Sequence, residues 1–377
     1  MKKSLISLII VNVLMFSIDV SPSSATTWHV PGDASTIQGG INMASGGDTV
    51  LVACGTYYEH DIKMKSGVRL LSETRRPDCV TINAQLQGRV IYCRFIGAAT
   101  RIEGFTITGG HEPSASGDGN GGGIYCLDNS SPWIVNCTIT DNFAGDDGGG
   151  VCCKTNSSPR FIDCIITNNE AGNGGSGMKF DSNSSPMLTD CTISDNIGTG
   201  IWTSSFSSPE LINCTFSGNA SGIEHTGPSF GTPADITLTD CTFSSTGQGM
   251  RFWNVTGNLT NCSFTGSSSS FGGGMNLNSA TVTLVNCNFS DNSAYNGGGI
   301  YLKNGSYLAA DTTVFENNTA SNMGAHGFIE VGCEAVLTCC VPDLTGFTGD
   351  GIITLIYDGC ITPLESTSWG RLKALFR

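Results

Sequence analysis

At 377 residues the chain can hold two average domains or one elongated one. Only 13% of its residues are charged and the formal net charge is −14, which excludes nucleic acid as a partner, because a phosphate backbone is met by clustered Lys and Arg. The acidic residues are spread thinly along the chain, so they serve solubility and do not form an acidic tail.

Residues 1–25 carry Lys2 and Lys3, an apolar stretch over residues 5–16, and small residues at Ser23, Ser24 and Ala25. This is the layout of a secretory signal peptide. It predicts an exported protein, extracellular or at a bacterial cell surface. The apolar stretch falls short of the roughly twenty residues that cross a bilayer. No later stretch is long and apolar enough, so no transmembrane segment is expected in the mature chain. Residues 35–45 read as a short helix: Ser35 and Gln38 form a capping-box pattern, Ile37, Ile41 and Ala44 share a face, and Gly46 ends it. Such a helix plugs an otherwise open sheet end, and the phrase GDTVLVACGTYYE after it reads as the first strands.

A repeat then organises the chain. Cys137, Cys164, Cys191, Cys214, Cys241, Cys262 and Cys287 are separated by 27, 27, 23, 27, 21 and 25 residues, and a period in the twenties means a solenoid. Asn or Asp precedes each cysteine, Ile or Phe follows two residues later, and a large apolar residue stands three before (Ile134, Phe161, Leu188, Leu211, Leu238, Leu259 and Leu284). In one continuous strand, positions three apart face opposite ways, yet both of these are apolar. A bend at the Asn/Asp resolves the conflict, because these residues best tolerate a left-handed backbone. Gly104, Thr312 and Cys339 read as degenerate members of the bend series.

A second ladder lies in the phrases GGGIYC, GGGVCC, GSGMKF, GTGIWT, SGIEHT, QGMRFW, GGGMNL and GGGIYL. Alternate positions are apolar or small, as in Ile124 and Cys126 or Met178 and Phe180, and the residue between them varies, which is a half-buried strand. Ser-Ser-Pro turns, with Pro132, Pro159, Pro186 and Pro209, separate the two ladders. Each coil is thus strand, turn, strand, Asn/Asp bend, short strand and variable Gly-rich loop. Coils stacked about 4.8 Å apart bury a core that none could bury alone. The expected fold is all-β, a right-handed parallel β-helix: a solenoid of about 11–12 coils with a short amino-terminal capping helix. The expected organisation is a signal peptide over 1–25, the β-helix with its cap over 26–340, and a carboxy-terminal cap and tail over 341–377.

The cysteine column has two readings. Its members are free thiols packed as small hydrophobes, or they are bridged between rungs, which parallel Cβ vectors oppose. Cys54, Cys79, Cys93, Cys333 and Cys360 fall outside the column and are better placed for disulfides, with the pairing left open. In the tail, Trp369, Leu372 and Phe376 share a helical face, read as a capping or docking helix or, alternatively, a sorting signal.

The opening WHVPGDASTIQGGINMASGGDTVLVACGTYYE resembles the amino-terminal opening of the pectin-lyase-like superfamily of right-handed parallel β-helices. The GGGI phrases, and the pairs Phe216 and Asn219, Phe289 and Asn292, and Phe315 and Asn318, are similar to repeats of chlamydial-type polymorphic outer membrane proteins. Autotransporter-like members of that second group end in a membrane barrel, whose run of alternating strands is not evident after residue 340.

In enzymes of the superfamily, the resemblance places chemistry on the outer face of one strand, beside the variable loops. Here that face carries Tyr125, Lys179, Trp202, Glu224, Arg251 and Tyr301, where rings can stack on sugars and cations can pair with uronates. The plainer reading is an ordinary solvated strand face. Asp146 and Asp147 resemble the paired aspartates of polygalacturonases, but the accompanying Asn-Thr-Asp, Gly-His-Gly and Arg-x-Lys motifs are missing, and turn chemistry accounts for them. A lyase would need a calcium-binding carboxylate cluster and a base; Lys179 and Arg251 are present without such a cluster in neighbouring rungs. His29, His60, His111, His225 and His326 share no metal-ligand spacing, and His225 falls inward, read as a satisfied core residue. The expectation is therefore a non-catalytic adhesion, glycan-binding or envelope protein with no cofactor, its partner a polysaccharide or cell-surface glycan. The alternative is a lyase, hydrolase or epimerase on uronate-containing polymers, with calcium if a lyase.

Overall fold

Each coil bends where the sequence places Asn or Asp. Asn136, Asp163, Asp190, Asn213, Asp240, Asn261 and Asn286 all lie between φ +48° and +56°, and Gly104, Thr312 and Cys339 continue the series at +82°, +48° and +51°. The turn lets Ile134 and Cys137, on opposite faces of an unbroken strand, both point inward and stay buried. These observations come from a computed structural model that describes residues 25–114, 118–228, 233–342 and 346–356. The expected signal peptide and tail helix lie outside the described residues.

Three long sheets form the walls of the rod. A 14-stranded sheet runs from Thr27–Val30 to Ile352–Ile356, and two 12-stranded sheets run from Gly55–Tyr57 to Val341–Pro342 and from Ile62–Lys63 to Phe347–Thr348. We call the last the site sheet. Neighbouring strands are parallel and come from successive coils. The right-handed parallel β-helix of about 12 coils, with one short helix near its start, is thereby observed. The winding continues beyond residue 340 to Ile356. Among the described residues no helix is long and apolar enough to cross a membrane.

Like stacks on like inside. Ile139, Ile166 and Ile193 are followed in register by Phe216, Phe243, Phe264, Phe289 and Phe315, whose ring centroids are 4.5, 4.7, 4.6 and 5.2 Å apart. The cysteine column is free and buried throughout. A further column, Asn142, Asn169, Asn196 and Asn219, is buried where the loops leave the coil. Asn169 Nδ2 donates to the Ile139 and Thr167 carbonyls at 3.0 and 2.9 Å and to Asn196 Oδ1 at 3.1 Å. These amides pair backbone groups that the turning chain leaves without a ladder partner.

Three expectations are corrected. The helix spans Ile37–Met43 and its N-cap is Thr36, not Ser35: Thr36 is extended and its side chain accepts from Gly39 N–H at 3.0 Å. Gln38 does not close a capping box; the Glu59 carboxylate, distant in sequence, takes the Ile37 and Gln38 N–H groups at 2.7 and 3.0 Å. Of the cysteines singled out for disulfides, Cys54 and Cys79 are bonded to each other, whereas Cys93 and Cys333 are buried free thiols. Cys93 pairs in register with Cys126, and so extends by one coil the inward positions of the second ladder, where the sequence had placed Cys126 but not Cys93. Cys339 is also disulfide-bonded, and Cys360 lies outside the described residues. Finally, His225 is buried inward, but neither ring nitrogen finds a hydrogen-bond partner. Its neighbours in the column are Thr203 and Phe252, and the phenyl ring meets it edge-on.

Candidate functional site: an open window on the outer face

The site sheet alternates strictly. From Tyr125 to Tyr301 its outward positions form one column in register: Tyr125, Cys152, Lys179, Trp202, Glu224, Arg251, Asn276 and Tyr301. The structure therefore brings all six residues singled out as a sugar-binding stripe onto one line. It does not expose them equally. Tyr125 is 2% exposed, Lys179 5% and Tyr301 5%, while the side chain of Arg251 is 53% exposed and that of Glu224 26%. The plain expectation of a solvated strand face holds only for the middle of the column.

Loop length is the cause. From Ile139 to Val151, and from Ile166 to Met178, the chain takes 12 residues to pass from one inward position to the next. From Ile193 to Ile201 it takes 8, and from Phe216 to Ile223 and Phe243 to Met250 only 7; from Phe264 to Met275 it lengthens again to 11. The long connections fold back over the face. Gly148 and Gly175 are left-handed at φ +68° and +62°, and a Cβ would approach Cys152 Cβ to 2.8 Å at the first and the Met178 carbonyl oxygen to 2.3 Å at the second. Two small sheets rise from these connections. His111–Glu112, Phe143–Ala144 and Glu170–Ala171 make one, and Ser268–Phe271, Ser293–Asn296 and Thr319–Met323 the other. They wall the face on either side of the coils of Trp202, Glu224 and Arg251, and the three short connections leave a window between them.

On the amino-terminal side of the window the polar groups are used up in packing. Arg89 pairs with Glu112 at 3.2 Å and Asp118 at 2.8 Å and lies over the Tyr125 ring at 4.8 Å from its centroid. Burial pushes the Tyr125 hydroxyl above its ordinary range. Asp146 accepts from Ser114 Oγ at 2.8 Å and Asn173 Nδ2 at 3.3 Å, and Asp147 takes Lys154 Nζ at 3.1 Å. Lys179 Nζ sits 3.8 Å from the centroid of the Trp202 ring, and burial holds its ammonium below the ordinary lysine value. The Trp202 ring packs tightly on Gly174, where a Cβ would come within 1.6 Å of it. Trp202 thus closes over Lys179 and is a rim of the window more than a free platform.

The window itself is floored by Glu224 and Arg251, 3.8 Å apart, with Thr199 Oγ1 donating to Glu224 Oε1 at 3.1 Å. Trp253, two residues past Arg251 on the same outward face, is 52% exposed. Ile197 and Phe271 are exposed at the two walls. Phe206, in the coil of Trp202, is exposed at φ +64° where the preceding coils have Asn156 and Asn183, a conformation costly for a bulky residue. Beyond the window Phe271 leans on Tyr301 at 5.0 Å between centroids, and the Tyr301 hydroxyl donates to Glu330. Sequence reasoning missed Trp253, Ile197, Phe206 and Phe271. The first was legible, since QGMRFW puts Trp253 in phase with Arg251; the others follow from loop paths that carry no periodic signal.

Among the described residues, the one group of three close ligand-type side chains is Cys54, Glu73 and Cys79, and its two sulfurs are joined in the disulfide. Nothing comparable gathers at the window.

A rod of parallel coils with a walled outer face defines a right-handed β-helix protein. The chain belongs to the family described as "Right handed beta helix region", which matches residues 39–258 and 226–341. Among solved structures it is similar to the pectate lyase Pel9A, with 15% identity, TM-score 0.46, and coverage of 80% of this chain and 78% of that one. It is also similar to a polygalacturonase from Erwinia carotovora ssp. carotovora, with 13% identity, TM-score 0.43, and coverage of 91% and 96%. A third is the alginate lyase AlyGC, with 13% identity, TM-score 0.44, and coverage of 87% and 54%. A search of curated proteins returns no match.

Proposed function

We propose that this is a non-catalytic secreted or cell-surface β-helix that binds glycan at the open window of its outer face. The carrying observation is the coincidence of three consecutive short connections with an exposed Arg251, a half-open Glu224 and an exposed Trp253 on the outer face of two neighbouring strands. A ring beside hydrogen-bonding charged groups is the chemistry that holds a sugar. The paired aspartates support the non-catalytic reading, since Asp146 and Asp147 are engaged by Ser114, Asn173 and Lys154. The layout of residues 1–25 and the likeness of the repeats to polymorphic outer membrane proteins support the location.

One observation favours an enzymatic second reading. Lys179, its basicity lowered by burial, is the kind of group that serves as base in a polysaccharide lyase, which would bring calcium with it. Calorimetry against a polysaccharide panel, followed by reducing-end and unsaturated-product assays on every ligand found, separates the two. Binding without product is expected. Product formation abolished by Asp147→Asn or Lys179→Met would replace this reading with the enzymatic one, and no binding to any glycan would end it.

A further inference from the structure

We infer that the window takes a short neutral oligosaccharide, about three sugar units long, in preference to an acidic one; this rests on the glycan-binding reading above. Size comes from the walls. Between the two small sheets the connections entering the coils of Trp202, Glu224 and Arg251 are all short, and the strands Glu170–Ala171 and Ser268–Phe271 stand at either end. Coils repeat about every 4.8 Å, close to the length of one pyranose in an extended chain, so a chain laid along the rod meets about one sugar per coil. It must leave the surface where the walls rise.

Charge comes from the composition of these coils. Arg251 is the only Lys or Arg between Lys179 and Lys303, a span that holds eight Asp and Glu. Its guanidinium already faces the Glu224 carboxylate at 3.8 Å, and Lys179 is shut beneath Trp202. A uronate entering here brings its carboxylate against Glu224 and into a region of net negative charge, inside a protein of net charge −14. A neutral sugar meets no such penalty. Its hydroxyls can donate to Glu224 and accept from Arg251 while one ring face lies on Trp253, with Ile197 and Phe271 as apolar ends.

The test is calorimetry of the full chain with cello-, manno- and chito-oligosaccharides from monomer to hexamer, alongside oligogalacturonates of the same lengths. Expected is binding of a neutral series whose affinity rises to about the trimer and then levels. Trp253→Ala, a change at an exposed position, should weaken it at least about tenfold, with an unchanged far-ultraviolet dichroism spectrum. Oligogalacturonates bound more tightly than every neutral series would overturn the charge argument and leave glycan binding standing. Affinity still climbing through the hexamer would overturn the size argument. Silence from all series would take the glycan-binding reading down with it.

Discussion

His225 is the buried group whose protonation the fold opposes most plainly, and replacing it gives a quantitative test of the core. Burial holds its imidazole down to about 4 from the ordinary 6.5, with Thr203 and Phe252 above and below it in the column. Because the folded-state value is depressed, the unfolded chain binds the proton first. The neutral histidine therefore adds no pH-dependent loss above about 6.5, and stability falls as pH drops from there toward 4, by about 3 kcal/mol in all. Leu277 and Leu302 occupy the same column two and three coils on, so His225→Leu fits the space. Denaturant unfolding of both proteins at about pH 7.5 and about pH 4.5 should show the wild type losing some 2–3 kcal/mol more than the variant over that interval. The variant should also be the more stable at neutral pH, because two ring nitrogens no longer go unpaired. Parallel losses in the two proteins would mean that the ring is solvated or hydrogen-bonded, and the stacking of Thr203, His225 and Phe252 would have to be redrawn.

Other consequences are as direct. Phe243→Ala opens a hole in the middle of a five-ring stack and should cost about 3–5 kcal/mol in denaturant unfolding; a loss under about 1 kcal/mol would contradict the stack. Asn169→Leu strands the Ile139 and Thr167 carbonyls and should cost about 1–3 kcal/mol for each buried group left unpaired, whereas Asn173→Leu at the exposed loop should cost little. Thiol titration of the native protein should find none of the 13 buried free cysteines reactive, and denaturation should release them all.

Much of the fold is written in the sequence because stacking repeats it. The Asn/Asp before each cysteine can be read as a bend from parity alone, and the left-handed φ values at Asn136 through Asn286 follow. The outward column from Tyr125 to Tyr301 is legible for the same reason, since a strand's period of two survives any loop between strands. Exposure is not. Whether an outward residue meets water depends on where the next connection runs, so Lys179 and Arg251, equivalent by period, end up buried and open. The shortening to 7 residues before Ile223 and Met250 was present in the spacing but acquires meaning only once the longer connections are seen to fold over the face. Glu59 at the helix start is a third kind of case, because a partner 22 residues away leaves no local pattern. The recurring pairs Phe216 and Asn219, and Phe289 and Asn292, mark a repeat without revealing that the Asn pairs backbone carbonyls from inside.

The central claim is that loop length, and not the identity of the strand face alone, makes the site. Replacing the 7-residue passage from Phe243 to Met250 with the 11-residue passage from Phe264 to Met275 would wall the coil of Arg251 while leaving Glu224, Arg251 and Trp253 in place. Calorimetry with the best oligosaccharide should then show binding lost in a variant whose thermal transition is unchanged. Undiminished affinity in that folded variant would contradict the account.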